Sequence, residues 1–295
     1  MIPDFLIQKL EIQYGKEIAR KIIEGYGLKR PVTLRVNTIK TTKDKIEEVL
    51  YALNITYQEV PWSKNAFILE EVREDKIQEL DIYKNGEIYL QSLSSMLPPM
   101  ILEPKENTDI LDMAAAPGGK TTQMAALSNN KAHITACELN KIRAERLKYN
   151  LEKQGASCVY VMEKDARTLE DFFAFDQILL DAPCSGSGTL DITNPKLEAT
   201  FTEKLIQKSV SSQKALLGKA INILKSGCEM VYSTCSILKE ENEEILAPFL
   251  KAKKIEIIPI HIEKLPLLPS KIAGTICVCP NELYEGFFIA KLKKV

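Results

Sequence analysis

Two cysteines, Cys184 in DAPCSGSG and Cys235 in VYSTCSI, each follow an apolar run that reads as a β-strand. A free thiol has a pKa of about 8.5, so it attacks carbon only after a cation, a hydrogen bond or a helix N-terminus has favoured its thiolate. Candidates for that help lie nearby in the pattern. Lys120 sits in PGGKTT, and the helical run KEENEEIL begins shortly after Cys235. If both strands belong to one parallel sheet, both cysteine loops leave it at the edge where such sheets bind ligands. Asp112 and Asp181 end two apolar runs of the same kind, and carboxylates there suit a positively charged group.

The stretch LDMAAAPGGKTT, 111 to 122, follows a strand and opens a helix. Its glycines let backbone approach a ligand, and the free N–H groups of the helix start can receive a polar end. It ends in GKT like a phosphate-binding loop, but that motif needs a glycine where Ala114 stands. A nucleoside fits better. Glu138, in TACELN, stands 20 residues after Gly118, where doubly wound folds place an acid on ribose hydroxyls. Asp165, in EKDAR at the end of a third strand, is placed to accept from an exocyclic amine. With Asp112 and Asp181 bracketing a cation and no dinucleotide glycine fingerprint, the expected cofactor is S-adenosylmethionine.

These residues need a frame that brings strand ends together. From about 108 onward, TDILDM, AHITACE, SCVYVM, FDQILLD and CEMVYST alternate with helical patterns at KTTQMAAL, KIRAERLKYNLEKQG and TEKLIQKSVSSQKALLGKAINILKSG. That alternation predicts an α/β fold with a parallel sheet and helices on both faces. Gly155 and Gly227 are expected to close helices. IEIIPI, TICVCP and GFFIAKL read as further strands, with an antiparallel hairpin among them. The first 90 residues mix short helices and strands, VTLRVN, ITYQEV and AFILE among them. They predict a small α+β domain over 1–90, joined through QSLSSMLPPMILEP to a catalytic domain over 91–295.

Composition narrows the class. The 295 residues are 45% hydrophobic with a net charge of −1, so charge neither announces nor excludes a nucleic-acid partner. Lys29, Arg30 and Arg35, and Lys251, Lys253 and Lys254, read as solvated surface. Seven cysteines without a CxxC, and two histidines away from them, predict free thiols and no metal site. His133, inside AHITAC, is expected to be a strand residue. No apolar stretch approaches the roughly 18 residues of a membrane span, and the N-terminus lacks the pattern of a secretory leader, so a cytoplasmic, monomeric protein is expected.

Two thiols beside a methyl donor answer one chemical problem. Cytosine carbon 5 is a poor nucleophile, and a thiolate adding to carbon 6 makes it enamine-like until the methyl group has been transferred. DMAAAPGGKTT, ACELN, DAR, DAPCSGSG and YSTCSILKEENEE, in this order and spacing, resemble the RsmB/RsmF/NSUN family of RNA 5-methylcytosine methyltransferases, from about residue 30 to GFFIAKL. The resemblance implies a class I Rossmann-like methyltransferase fold with an RRM-like N-terminal domain that helps hold RNA, either rRNA or tRNA. It implies that Cys235 is the nucleophile, that Cys184 assists product release, that Asp181 hydrogen-bonds the cytosine ring and that Lys120 orders the site. It carries cofactor binding onto Ala114, Ala115, Ala116, Pro117, Gly118, Gly119, Lys120, Glu138, Arg143, Asp165 and Asp181. Ala114 departs from relatives that often have cysteine there. Two rivals stand beside it: a catalytically silent RNA-binding or assembly protein, and a DNA cytosine-5 methyltransferase whose nucleophile is Cys184. The second lacks its Glu-Asn-Val motif, since Glu241-Asn242 is followed by Glu243.

Overall fold

The computed structural model describes residues 2–295. Two helices, α1 (Asp4–Tyr14) and α2 (Lys16–Tyr26), come first. A βαββαβ unit follows: β1 (Val32–Val36), α3 (Lys43–Ala52), β2 (Tyr57–Val60), β3 (Ser63–Leu69), the short helices α4 (Glu74–Gln78) and α5 (Asp81–Lys84), and β4 (Ile88–Leu90). Its strands form an antiparallel sheet in the order β2-β3-β1-β4. Alternation along β1 and β3 sends Leu34, Val36, Phe67 and Leu69 into one core with Ile46 and Leu50 of α3. Thr42 caps α3 by accepting from the Lys45 N–H.

The opposite face of β1 corrects an expectation. Arg35 is buried, because the strand's alternation turns it toward the larger unit, where it donates to Gln91 Oε1 (3.2 Å) and Thr122 Oγ1 (3.0 Å). Burial lowers its pKa to about 10, against the smaller upward pull of Tyr89. A seat between two units, rather than solvated surface, is its environment.

The large unit begins with the buried helix α6 (Leu93–Leu102) and continues β5 (Asp109–Asp112), α7 (Gly119–Leu127), β6 (His133–Cys137), α8 (Lys141–Gln154), β7 (Val159–Met162), β8 (Phe175–Asp181), α9 (Leu197–Thr200), α10 (Glu203–Ile223), β9 (Leu224–Thr234), α11 (Glu243–Lys251), β10 (Ile255–Ile258), β11 (Leu267–Leu268), β12 (Ile276–Val278) and β13 (Phe287–Lys294). Its sheet runs β11-β12-β13-β9-β8-β5-β6-β7, with β10 also on β13. From β7 to β9 every pairing is parallel. β13 then runs antiparallel beside β9, β12 and β13 form the expected antiparallel hairpin, and the short β11, not expected from the sequence, adds antiparallel to β12. Gly155, at φ +70°, caps α8 as expected. Gly227 does not close a helix: α10 ends at Ile223, and Gly227, at φ +76°, lies inside β9 where the pairing with β8 shifts register.

The position of α1 and α2 is informative. Leu6, Leu10, Ala19 and Ile22 bury their side chains in the cluster that holds Ile237, Phe201 and Phe288, not in the core of the small sheet. Tyr14 and Gln13 donate to the Ile237 carbonyl at 2.6 and 3.0 Å, and Tyr26 donates to the Ser187 carbonyl at 2.5 Å. The first two helices thus hold the loops that follow β8 and β9.

Those loops also lock onto each other through glycine. Gly188 donates to the Cys235 carbonyl at 2.9 Å and accepts from Gly286 at 2.8 Å, and a Cβ built on it would lie 2.0 Å from the Gly286 carbonyl oxygen. Gly188→Ala is expected to lower stability by about 1–3 kcal/mol, the usual cost of overpacking, measured as a fall in urea midpoint with an unchanged m-value.

Candidate active site

Strand register explains how the two cysteines meet. Asp181, the last residue of β8, pairs with Ser233 of β9. Cys184 and Cys235 follow three and two residues later, so the two loops leave the sheet side by side at its C-terminal edge. Their sulfurs lie 3.1 Å apart, and both residues are half-buried free thiols. The other buried thiols, Cys137 and Cys277, are pushed upward by burial, which fits packing roles.

The hydrogen bond between the sulfurs separates their chemistry. It lowers the Cys235 pKa against the opposing effects of burial and the Asp181 charge, with Lys120 adding a further lowering. It raises Cys184 well above its usual range, reinforced by burial. Of the two, Cys235 is the thiol favoured to ionise and Cys184 the one favoured to keep its proton. The expected helix behind Cys235 is only partly there. Lys239–Glu241 form a single 3-10 turn, Asn242 breaks the backbone, and α11 starts at Glu243.

Beside the thiols, Lys120 Nζ lies 2.8 Å from Asp181 Oδ2 and donates to Ser95 Oγ at 2.8 Å. Burial opposes the lysine's charge, but the aspartate outweighs it, so the Lys120 pKa is raised. Ser233 Oγ donates to the other Asp181 oxygen at 2.7 Å. Each carboxylate oxygen retains one acceptor site for an incoming group. Sequence reasoning missed Ser95 and Ser233. Serine at a strand end carries no signal until the register is known.

Two cavities meet at Ala114. One, of about 260 Å3, is lined by Asp112, Ala114, Ala115, Ala116, Pro117, Gly119, Lys120 and Asp181. The other, of about 350 Å3, is lined by Glu138, Arg143 and Asp165 beside apolar Met113, Pro183 and Leu216. Gly118 lines neither; it is the turn residue at φ +107°, and a Cβ there would meet Leu147 at 2.9 Å. Asp112 is buried, accepts from Thr121 Oγ1 at 2.7 Å, and has its pKa raised to about 6 by burial, the Thr121 bond opposing. Glu138 Oε1 accepts from the Asn140 N–H at 2.8 Å, and Arg143 donates to the Ala116 carbonyl at 2.8 Å, tying the wall to the glycine loop. Asp165 is engaged by Arg167, whose side chain and N–H lower its pKa. An amine reaching Asp165 must share it with that arginine.

His133 begins β6 at the far end of the sheet from these groups. Among the described residues, no cluster of His, Cys, Asp and Glu suits a metal ion, and no helix is long and apolar enough to cross a membrane.

Residues 99–293 match the family model described as 16S rRNA methyltransferase RsmB/F. This chain belongs to the RsmB/F methyltransferase family. Residues 2–74 match the ferredoxin-like domain of the same family, in agreement with the βαββαβ sheet. Among curated relatives, the ribosomal RNA small subunit methyltransferase F of Shewanella piezotolerans is 34% identical over 89% of the chain, which spans 57% of that protein. The tRNA (cytosine(72)-C(5))-methyltransferase of Pyrococcus horikoshii is 40% identical over 74% of the chain, against 55% of its own length. The chain therefore spans little more than half of these relatives. The solved structure of NSun6 from Pyrococcus horikoshii with SFG superposes with a TM-score of 0.88 at 27% identity, covering 100% of this chain and 98% of that one.

Cys184→Ala removes the donor to Cys235 and is expected to raise the Cys235 pKa. Each unit of rise removes about tenfold of the thiolate at neutral pH. Iodoacetamide labelling of Cys235, followed by peptide mass spectrometry, should slow accordingly; an unchanged rate contradicts the assigned direction of the bond.

Proposed function

We propose that this chain transfers a methyl group from S-adenosylmethionine to carbon 5 of a cytosine in RNA, with Cys235 as the covalent nucleophile. The observation that carries the reading is the thiol pair at 3.1 Å, polarised toward Cys235 and flanked by the Lys120–Asp181 ion pair. The adjoining cavities fit the cofactor's two ends. Glu138 and Asp165 offer acceptors to a nucleoside among apolar walls, while Asp112, Asp181 and the first N–H groups of α7 suit a charged amino-acid end. The NSun6 structure carries SFG, an analogue of S-adenosylmethionine, which supports the same assignment. When bound, the cofactor supplies an electrophilic methyl group on a cationic sulfur.

The chain's own residues do the rest. The Cys235 sulfur bonds to carbon 6 of the cytosine, and the displaced π electrons make carbon 5 nucleophilic. Charge displaced onto ring nitrogen 3 takes up a proton from solvent, returned when the product forms, and Asp181, steadied by Lys120 and Ser233, accepts the hydrogen bond of that N–H. After carbon 5 takes the methyl group, its remaining proton leaves to solvent water. The electrons of that C–H bond restore the 5,6 double bond, and the carbon–sulfur bond breaks to return the Cys235 thiolate. Cys184, next to that sulfur, assists this last stage.

The substrate is rRNA or tRNA, as for the relatives named above, and the small N-terminal domain helps hold it. A DNA methyltransferase using Cys184 is disfavoured because the Glu-Asn-Val motif of those enzymes is missing: Glu241-Asn242 is followed by Glu243.

Cys235→Ser is expected to abolish transfer to RNA, whereas Cys184→Ala accumulates a covalent protein–RNA band on denaturing gels. Trapping by the Cys235 variant instead would exchange the two roles. Calorimetry of S-adenosylmethionine binding gives an independent check. A cationic ligand favours the ionised form of Asp112, so affinity should be present above and lost as pH falls through about 6. Asp112→Asn should weaken binding and flatten that dependence, and Glu138→Ala should weaken binding at every pH.

A further inference from the structure

One buried carboxylate in the region has no part in the mechanism above. Glu241 has a fully buried side chain, and it reaches both cysteine loops at the residue following each cysteine. Its Oε1 accepts from the Ser185 N–H at 2.7 Å, and its Oε2 accepts from Ser185 Oγ at 2.6 Å and from Ser236 Oγ at 2.6 Å. Gln213, on α10, donates to it at 3.4 Å and to the Pro183 carbonyl at 3.0 Å. The carbonyl of Glu241 itself accepts from the Tyr232 hydroxyl at 2.6 Å, which anchors the 3-10 turn against β9.

A buried carboxylate is retained at such a point only if its hydrogen bonds offset its desolvation. Four donors from three segments do so here. The same arrangement has an electrostatic result. Ser185 is the immediate neighbour of Cys184, so the negative charge acts on that thiol and disfavours its ionisation. The charged groups acting on Cys235 are others: Lys120 from α7, Asp181 from β8, and Glu285 from the segment before β13. Tyr232, the remaining titratable neighbour of Cys184, has its own pKa pushed up by burial and stays neutral.

We propose that Glu241 is a positioning residue that clamps the two cysteine loops together and fixes Cys184 as the proton donor of the pair. The proposal deepens the covalent reading given above and rests on it for its catalytic consequence. The orientation of the thiol pair is set from behind, by a residue that touches neither cytosine nor cofactor. Ser185 and Ser236 are the two arms through which the carboxylate acts.

Labelling of the unliganded protein with limiting iodoacetamide tests it, with the Cys235-to-Cys184 ratio read by peptide mass spectrometry across pH. Glu241→Gln, nearly isosteric but uncharged, should lower the pH at which Cys184 labels and reduce the ratio by about tenfold, the effect of one pKa unit. Methyl transfer to unmodified 16S rRNA and tRNA transcripts should fall in kcat with little change in KM for S-adenosylmethionine. Cys277, buried in β12, should stay unlabelled and so report an intact fold. An unchanged ratio and pH profile overturn the proposal. If Cys277 becomes reactive in the glutamine variant, Ser236→Ala decides, because it keeps the charge and removes one arm. Preserved preference for Cys235 with slowed transfer supports the clamp, and any other result overturns it. Labelling needs neither RNA nor cofactor. A wild type that labels as expected but methylates neither RNA class overturns the functional reading alone.

Discussion

The in-register parallel pairing of β8 with β9 is the constraint on which the rest of the site depends. Because Asp181 lies opposite Ser233, two loops that are 51 residues apart in sequence emerge as neighbours and bring their sulfurs to 3.1 Å. A slip of one residue would turn alternate side chains to the other face of the sheet. Asp181 would then lose Ser233 and Lys120 together. The register is defended on one side by β13, whose antiparallel pairing places Phe288 opposite Thr234, and on the other by β5. The glycines at 188 and 286 permit a backbone approach that no side chain allows.

Proximity alone does not make two thiols useful, since equal sulfurs would share a proton without preference. The asymmetry begins in the hydrogen bond between them, which lowers the Cys235 pKa and raises that of Cys184, and nearby charges add to it. Lys120 favours charge on Cys235, and the carboxylate of Glu241, bonded to the neighbour of Cys184, opposes charge there. Lys120 belongs to the first turn of α7, the helix that opens after the glycine loop, so the loop that walls the cofactor cavity also places the cation that counters Asp181 beside Cys235. The connection extends to the small domain. Arg35, from β1, donates to Thr122, two residues further along the same helix, and so ties the small domain to α7.

Much of this was legible in the sequence, for physical reasons. Buried parallel strands read as short apolar runs, and the acids and cysteines that end them stand out as polar interruptions at a sheet edge. Asp112, Glu138, Asp165, Asp181, Cys184 and Cys235 were accessible in that way. Glu241 was not, because EENEE has the composition of a solvated helix face, and only the tertiary structure turns two of its four glutamates, Glu241 and Glu243, inward. Gly227 misled because KSG after a helical run looks like a cap, whereas the chain had already entered β9. Arg35 looked like surface because its burial depends on the contact between the two units. The role of α1 and α2 was hidden for the same reason: their apolar faces are ordinary, and only their partners, the backbone carbonyls of Ser187 and Ile237, tie them to the site.

The central claim is that Cys235, not Cys184, bonds to the cytosine. Transcripts of rRNA and tRNA carrying 5-fluorocytosine test it most directly. After methyl transfer, carbon 5 of that base bears fluorine in place of the removable proton, so elimination stops and the adduct accumulates. Peptide mapping of the trapped complex should find the nucleotide on the peptide containing Cys235. A nucleotide mass on the peptide containing Cys184 would contradict the account.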